Sequence, residues 1–97
     1  MKKFKEIKEK LKKLEPLLKE RYKVKRIGIF GSYLREEQKR GSDLDTLVEF
    51  SEPIGLLDFI ELEDFLSKKL KIKVDLVMKE ALKLRIKEKI TKEAVYV

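Results

Sequence analysis

The order of apolar patterns predicts an α/β fold, a small mixed β-sheet of about three strands packed with helices. Three observations predict it. Apolar residues at three- and four-residue steps mark helices over 2–22, 56–70 and 80–93. Short runs rich in Val, Ile and Leu mark strands over 24–30, 44–50 and 72–78. The two kinds of segment alternate along 97 residues, room for one domain over 1–97 and for no second core.

In the first helix, Phe4, Ile7, Leu11, Leu14 and Leu18 fall on one face. Pro16 interrupts it, as a kink or as the first turn of a second short helix. The run Val24-Lys-Arg-Ile-Gly-Ile-Phe30 becomes fully apolar toward its end, and Gly31 breaks it. A short helix is predicted over 32–38, with a second break at Gly41-Ser42 and a strand over 44–50. The connection between these two strands is short, so antiparallel pairing is expected there. In the second long helix Leu56, Phe59, Ile60, Glu63 and Leu66 share a side, broadened by Leu57, Leu62 and Phe65. Its early Asp58 and Glu61 and late Lys68, Lys69 and Lys71 suit the helix dipole. The third strand carries Asp75, and the last helix places Leu82, Ile86 and Ile90 at four-residue steps. Val95-Tyr96-Val97 closes the chain. The last helix and these residues are expected to cover the domain's own sheet, with a partner or a second copy as the alternative.

Charged residues make up 44% of the chain against a usual ~25%. There is no Cys, His or Asn. Many Lys and Glu with few labile residues is the lean of hyperthermophile proteins. Without Cys or His, disulfides, thiol chemistry and ordinary structural zinc sites are excluded. No leader pattern is visible and no apolar run nears the ~18 residues of a membrane span, so a soluble, cytoplasmic protein is expected. The net charge of +7 reads as a Lys-rich solvated surface or as a pull toward a triphosphate or an acidic partner. Lys and Glu are mixed along the helices rather than gathered with aromatics into a stripe, so direct nucleic-acid binding is not favoured.

The chemistry is carried by Gly31-Ser32, then ten intervening residues, then Asp43-Leu44-Asp45. Asp-x-Asp alone arises readily by chance; the Gly-Ser at a fixed offset makes it specific. Side chains alternate along a strand, so Asp43 and Asp45 share a face. Two such carboxylates resist ionising together unless a cation sits between them. Magnesium takes oxygen ligands and keeps substrate phosphates in its shell. If Asp75 lies on the neighbouring strand facing the same way, three acids could hold two magnesium ions with a nucleotide bound. Gly31 lets backbone approach a phosphate. N–H groups at the start of the following helix and the Ser32 hydroxyl can bind the anion. Arg35, Lys39 and Arg40 lie near enough in sequence to neutralise phosphate charge. Taken singly, Asp43 reads equally as a turn cap, Ser32 as a helix cap and Arg35 as a surface ion-pair residue. Asp45 within an apolar strand is costly without a partner. The case for nucleotidyl transfer rests on the set.

The stretch Phe30-Gly-Ser-Tyr-Leu-Arg35, the stretch Ser42-Asp-Leu-Asp-Thr-Leu-Val-Glu-Phe50, Lys73-Val-Asp-Leu-Val77 and the ending Lys92-Glu-Ala-Val-Tyr-Val97 together resemble the minimal nucleotidyltransferases of the MNT/MntA type. These belong to the DNA polymerase beta-like nucleotidyltransferase superfamily. The resemblance covers essentially the whole chain. It implies a nucleotidyltransferase-like fold, with Gly31 and Ser32 in the triphosphate-binding turn and Asp43, Asp45 and Asp75 as the metal-binding acids. It further implies a partner, a HEPN-type ribonuclease toxin encoded nearby, neutralised by transfer of AMP from ATP to a toxin tyrosine. Asp75 would then accept the hydroxyl proton. Leu34 stands where the family commonly has a small residue and Glu36 where it has Gly, which bears on acceptor fit more than on metal binding.

Two other functions fit the same residues. One is a non-catalytic module that neutralises a helical partner stoichiometrically, consistent with so short a chain. The other is a small-molecule nucleotidyltransferase of the aminoglycoside-modifying kind, with a pocket supplied by another subunit in a homo- or hetero-oligomer.

Overall fold

The computed structural model describes residues 4–35, 41 and 43–97. Expectations that fall on the rest lie outside the described residues: the end of a helix over 32–38, the charges of Lys39 and Arg40, the Glu36 departure and Ser42.

The elements run α1 (Phe4–Tyr22), β1 (Val24–Ile29), β2 (Leu44–Phe50), α2 (Leu56–Leu70), β3 (Val74–Met78), a 3-10 turn (Lys79–Ala81), α3 (Leu84–Glu93) and β4 (Val95–Tyr96). They form a four-stranded sheet in the order β3-β2-β1-β4. The sheet is mixed, as expected: β1 pairs antiparallel with β2 and β4, and β2 pairs parallel with β3. The parallel pair needs a crossover, which α2 provides.

β4 is the strand not foreseen. Two residues are too short to show a period, and the ladder comes from tertiary pairing, Gly28 opposite Tyr96 and Ile29 opposite Val95. The C-terminus therefore extends the domain's own sheet. Gly28 makes room for it, since a Cβ there would lie 3.1 Å from Tyr96 Cδ1 and 3.2 Å from the Val95 carbonyl.

Strand alternation splits the sheet into two faces. Ile27, Ile29, Thr46, Val48, Val74 and Leu76 are buried on one face, and all but Thr46 join the core with α1 and α2. Asp45, Leu47 and Glu49 of β2, with Asp75 of β3, point to the other. α1 buries Ile7, Leu11 and Leu18 of the predicted stripe, with Phe4 and Leu14 partly buried beside them; it also buries Tyr22, which was not predicted, and runs through Pro16 as one helix. In α2 the buried stripe is Leu62, Leu66 and Leu70, rotated from the predicted side. Leu56, Leu57 and Ile60 are 73%, 81% and 51% exposed, while Phe59 in the same turns packs against the core. α3 starts later than predicted, at Leu84. The four-residue step at Leu82 misled, since Leu82 and Lys83 are extended and separate the 3-10 turn from the helix.

β3 is a sheet edge, and its outward N–H groups need partners. α2 supplies them. Ser67 Oγ accepts from Val74 N–H at 2.9 Å, and Glu63 Oε2 accepts from Leu76 N–H at 2.8 Å. Asp75 sits between these two anchored residues. No helix among the described residues is long and apolar enough to cross a membrane.

Candidate active site

β2 and β3 begin side by side, and their register pairs Asp45 with Asp75. Register partners on adjacent strands face the same way, so the two carboxylates stand together on the face away from α1 and α2. Asp43 lies just ahead of β2, and the Leu44 N–H donates to the Lys73 carbonyl at 2.8 Å, which ties the mouths of the two strands together. Asp45 is half-buried, Asp43 likewise, and Asp75 is exposed.

The turn after β1 is fastened to the same point. The Phe30 N–H donates to the Asp45 carbonyl at 3.1 Å, and the Arg35 N–H donates to the Gly31 carbonyl at 3.2 Å, closing one helix-like turn over 31–35. Gly31 has φ +77°, a conformation that L side chains rarely adopt. A Cβ at Gly31 would fall 2.2 Å from Asp45 Oδ2. The absent side chain leaves the space in which the carboxylate sits. Tyr33 is buried in the core and Leu34 packs partly against it.

The electrostatics follow from this crowding. Burial raises the Asp45 carboxyl above the ordinary carboxylate range, and the charges of Asp75 and Asp43, then Glu93, push the same way; Arg35 opposes them. Among the described residues, no three acids stand close enough to enclose a metal ion by themselves. The predicted triad is therefore an in-register pair with a third carboxylate flanking it. The donor set nevertheless suits a hard divalent cation. Every donor is a carboxylate oxygen, and magnesium leaves part of its shell to water and phosphates. A cation would also relieve the like charges that hold Asp45 up.

Arg35 bonds Glu93 at the end of α3. Sequence reasoning missed Glu93. The available signal was an acid in the last turn of a helix, where the dipole disfavours it. Glu49, on the same face, is a separate buried acid held by Lys79 at 3.5 Å and Arg26 at 3.7 Å.

Paired carboxylates thus stand beside a glycine turn at the mouth of a mixed sheet in an α/β domain. The nucleotidyltransferase domain model matches residues 5–97, and the chain belongs to that family of enzymes. Protein adenylyltransferase MntA of Thermococcus cleftensis is 52% identical over 80 residues, covering 82% of this chain and 81% of the relative. A solved candidate minimal nucleotidyltransferase superposes with a TM-score of 0.84 at 32% identity, over 97% of this chain and 95% of its own. A chain from a crystal structure of a toxin–antitoxin complex with AMP-PNP superposes with a TM-score of 0.73 at 25% identity, over 90% of this chain and 70% of its own.

Proposed function

We propose that this chain transfers AMP from ATP to a hydroxyl of a partner protein, a tyrosine of a HEPN-type toxin, and so acts as the antitoxin of a pair. The observation that carries the reading is the Asp45–Asp75 register pair with the Gly31 turn pressed against Asp45. The MntA relative, named a protein adenylyltransferase, supports the reaction type. The toxin–antitoxin complex holding an ATP analogue supports both the nucleotide and the partner.

In this reading Asp43, Asp45 and Asp75 hold magnesium. The bound cation supplies neutralisation of phosphate charge and polarisation of the phosphoryl oxygens. The turn 31–35 offers its backbone to the triphosphate, with the Ser32 hydroxyl as a further donor and Arg35 as the cation beside it. The acceptor oxygen attacks the α-phosphorus, the bond to the β-phosphate breaks, and pyrophosphate leaves. Asp75, the exposed member of the pair, takes the hydroxyl proton.

A second reading, stoichiometric neutralisation without transfer, is favoured by one observation: Leu56, Leu57 and Ile60 are exposed at the start of α2, and apolar surface of this kind suits docking. One assay separates the two. The chain is incubated with the product of its neighbouring reading frame, labelled ATP and magnesium. Label on the neighbour that disappears with Asp43→Asn and Asp45→Asn is the expected result. A partner bound tightly but unlabelled would replace the enzyme reading with the module.

A further inference from the structure

Glu93 lies outside the three carboxylates read as metal ligands, yet three observations place it at the same site. The first is topological. β4 runs antiparallel to β1 with Val95 opposite Ile29. Glu93 precedes Val95 by two residues as Gly31 follows Ile29 by two, so both leave the ladder at the same end of the sheet. The second is a direct contact: a Glu93 carboxylate oxygen bonds the Arg35 guanidinium, with Glu93 the more buried partner, at 24% side-chain exposure against 49%. The third concerns α3 itself. Glu93 is its last residue, where the helix dipole disfavours an acid, so its own helix does not account for it. The contact across to the nucleotide turn does.

A guanidinium carries its donors in a rigid planar fork. Because the fork is rigid, a carboxylate bonded to one arm fixes the direction of the others, and the same fork suits bidentate phosphate recognition. Ala94, the next residue, donates its N–H to the Ile90 carbonyl at 2.8 Å, and Val97 N–H donates to the Ile27 carbonyl at 2.9 Å. Glu93 is thus held from both sides by regular structure, while Arg35 sits on a turn.

We infer that Glu93 is a positioning residue: it acts through Arg35, orienting that guanidinium toward the phosphates of the nucleotide, and it touches neither nucleotide nor acceptor. This rests on the reading of the site as a triphosphate site.

The test is a double-mutant cycle on the full chain, with affinity for AMP-PNP and magnesium measured calorimetrically and melting temperature recorded for every variant. Glu93→Gln keeps the size of the side chain and removes its charge. It is expected to weaken binding about tenfold, the range for directly coupled charged pairs, with little change in melting temperature. Glu93→Asp, which keeps the carboxylate, recovers part of the loss. In an Arg35→Gln background, Glu93→Gln costs nothing further. Binding by Glu93→Gln that equals or exceeds wild type overturns the inference. So does an undiminished loss in the Arg35→Gln background, which would make Glu93 independent of Arg35. A wild-type chain that binds no AMP-PNP overturns the triphosphate reading itself, and the inference with it.

Discussion

Gly31 and Asp45 occupy one space: the Cβ that any other residue would carry at position 31 falls 2.2 Å from Asp45 Oδ2. The glycine thus does more than bend the chain after β1, because it lets a carboxylate lie against the turn. Gly31→Ala meets two penalties. The left-handed backbone costs about 1–2 kcal/mol for a residue with a side chain, and Asp45 must move. A displacement near 1 Å at a reacting centre costs about a hundredfold in rate. Gly31→Ala should therefore lose about 1–2 kcal/mol by urea denaturation and at least about a hundredfold in transfer. Gly31→Val should also weaken ATP binding. Wild-type activity in Gly31→Ala would remove the turn from the site.

The charge on Asp45 gives a pH prediction for the metal-free chain. Burial and the neighbouring Asp75 and Asp43 raise its pKa. Between the unfolded value near ~3.9 and the raised folded value, the folded chain binds more protons than the unfolded one. Stability from this group is therefore complete below the unfolded value and falls as pH rises through the folded one. At neutral pH the ionised Asp45 is a burden. In EDTA at pH 7, Asp45→Asn should be more stable than wild type, with the gap closing on acidification toward pH 4. A gap that widens on acidification would show that Asp45 is held by a favourable partner.

Asp75 offers the complementary case. It is exposed, and the backbone on either side of it is held by Ser67 and Glu63 rather than by its own carboxylate. Asp75→Asn should change stability by no more than about 0.5 kcal/mol and lower transfer at least about a hundredfold. Ser67→Ala should do the reverse. It strands the Val74 N–H, costs about 1 kcal/mol and leaves transfer the less affected. Denaturation and labelling of both variants check the pair. If Asp75→Asn unfolds the domain, the acid is structural.

These two acids also mark what the sequence made legible. Asp45 and Asp75 stood out because each interrupts an apolar strand, and the elements carrying them are long enough to show their period. The stripe of α1 was legible for the same reason. The register that sets Asp45 opposite Asp75 was not, because strand partners are chosen by the whole sheet. Nor was β4, whose two residues have no pattern, or the rotation of α2, where Leu56, Leu57 and Ile60 match the helical period and yet are exposed. Glu93 was hidden by its surroundings. In a chain so rich in Lys and Glu, one more acid among basic neighbours looks like solvated surface until Arg35 is seen against it.

If the three acids and the Gly31 turn form one site, the nucleotide and the metal must stabilise the fold together and not separately. A ligand at a hundred times its Kd adds about 2.7 kcal/mol, and in a domain of this size each kcal/mol raises the melting temperature by about 4–8 °C. AMP-PNP with magnesium should therefore raise the melting temperature of the wild-type chain by roughly 10–20 °C. AMP-PNP in EDTA should give little of this, because the carboxylates repel a bare triphosphate. Asp43→Asn with both ligands should fall in between, since it removes the flanking acid and keeps the in-register pair. Differential scanning calorimetry reads all three. An equal shift with and without magnesium would mean that the nucleotide binds elsewhere. An Asp43→Asn shift equal to wild type would reduce Asp43 to a cap on the turn before β2.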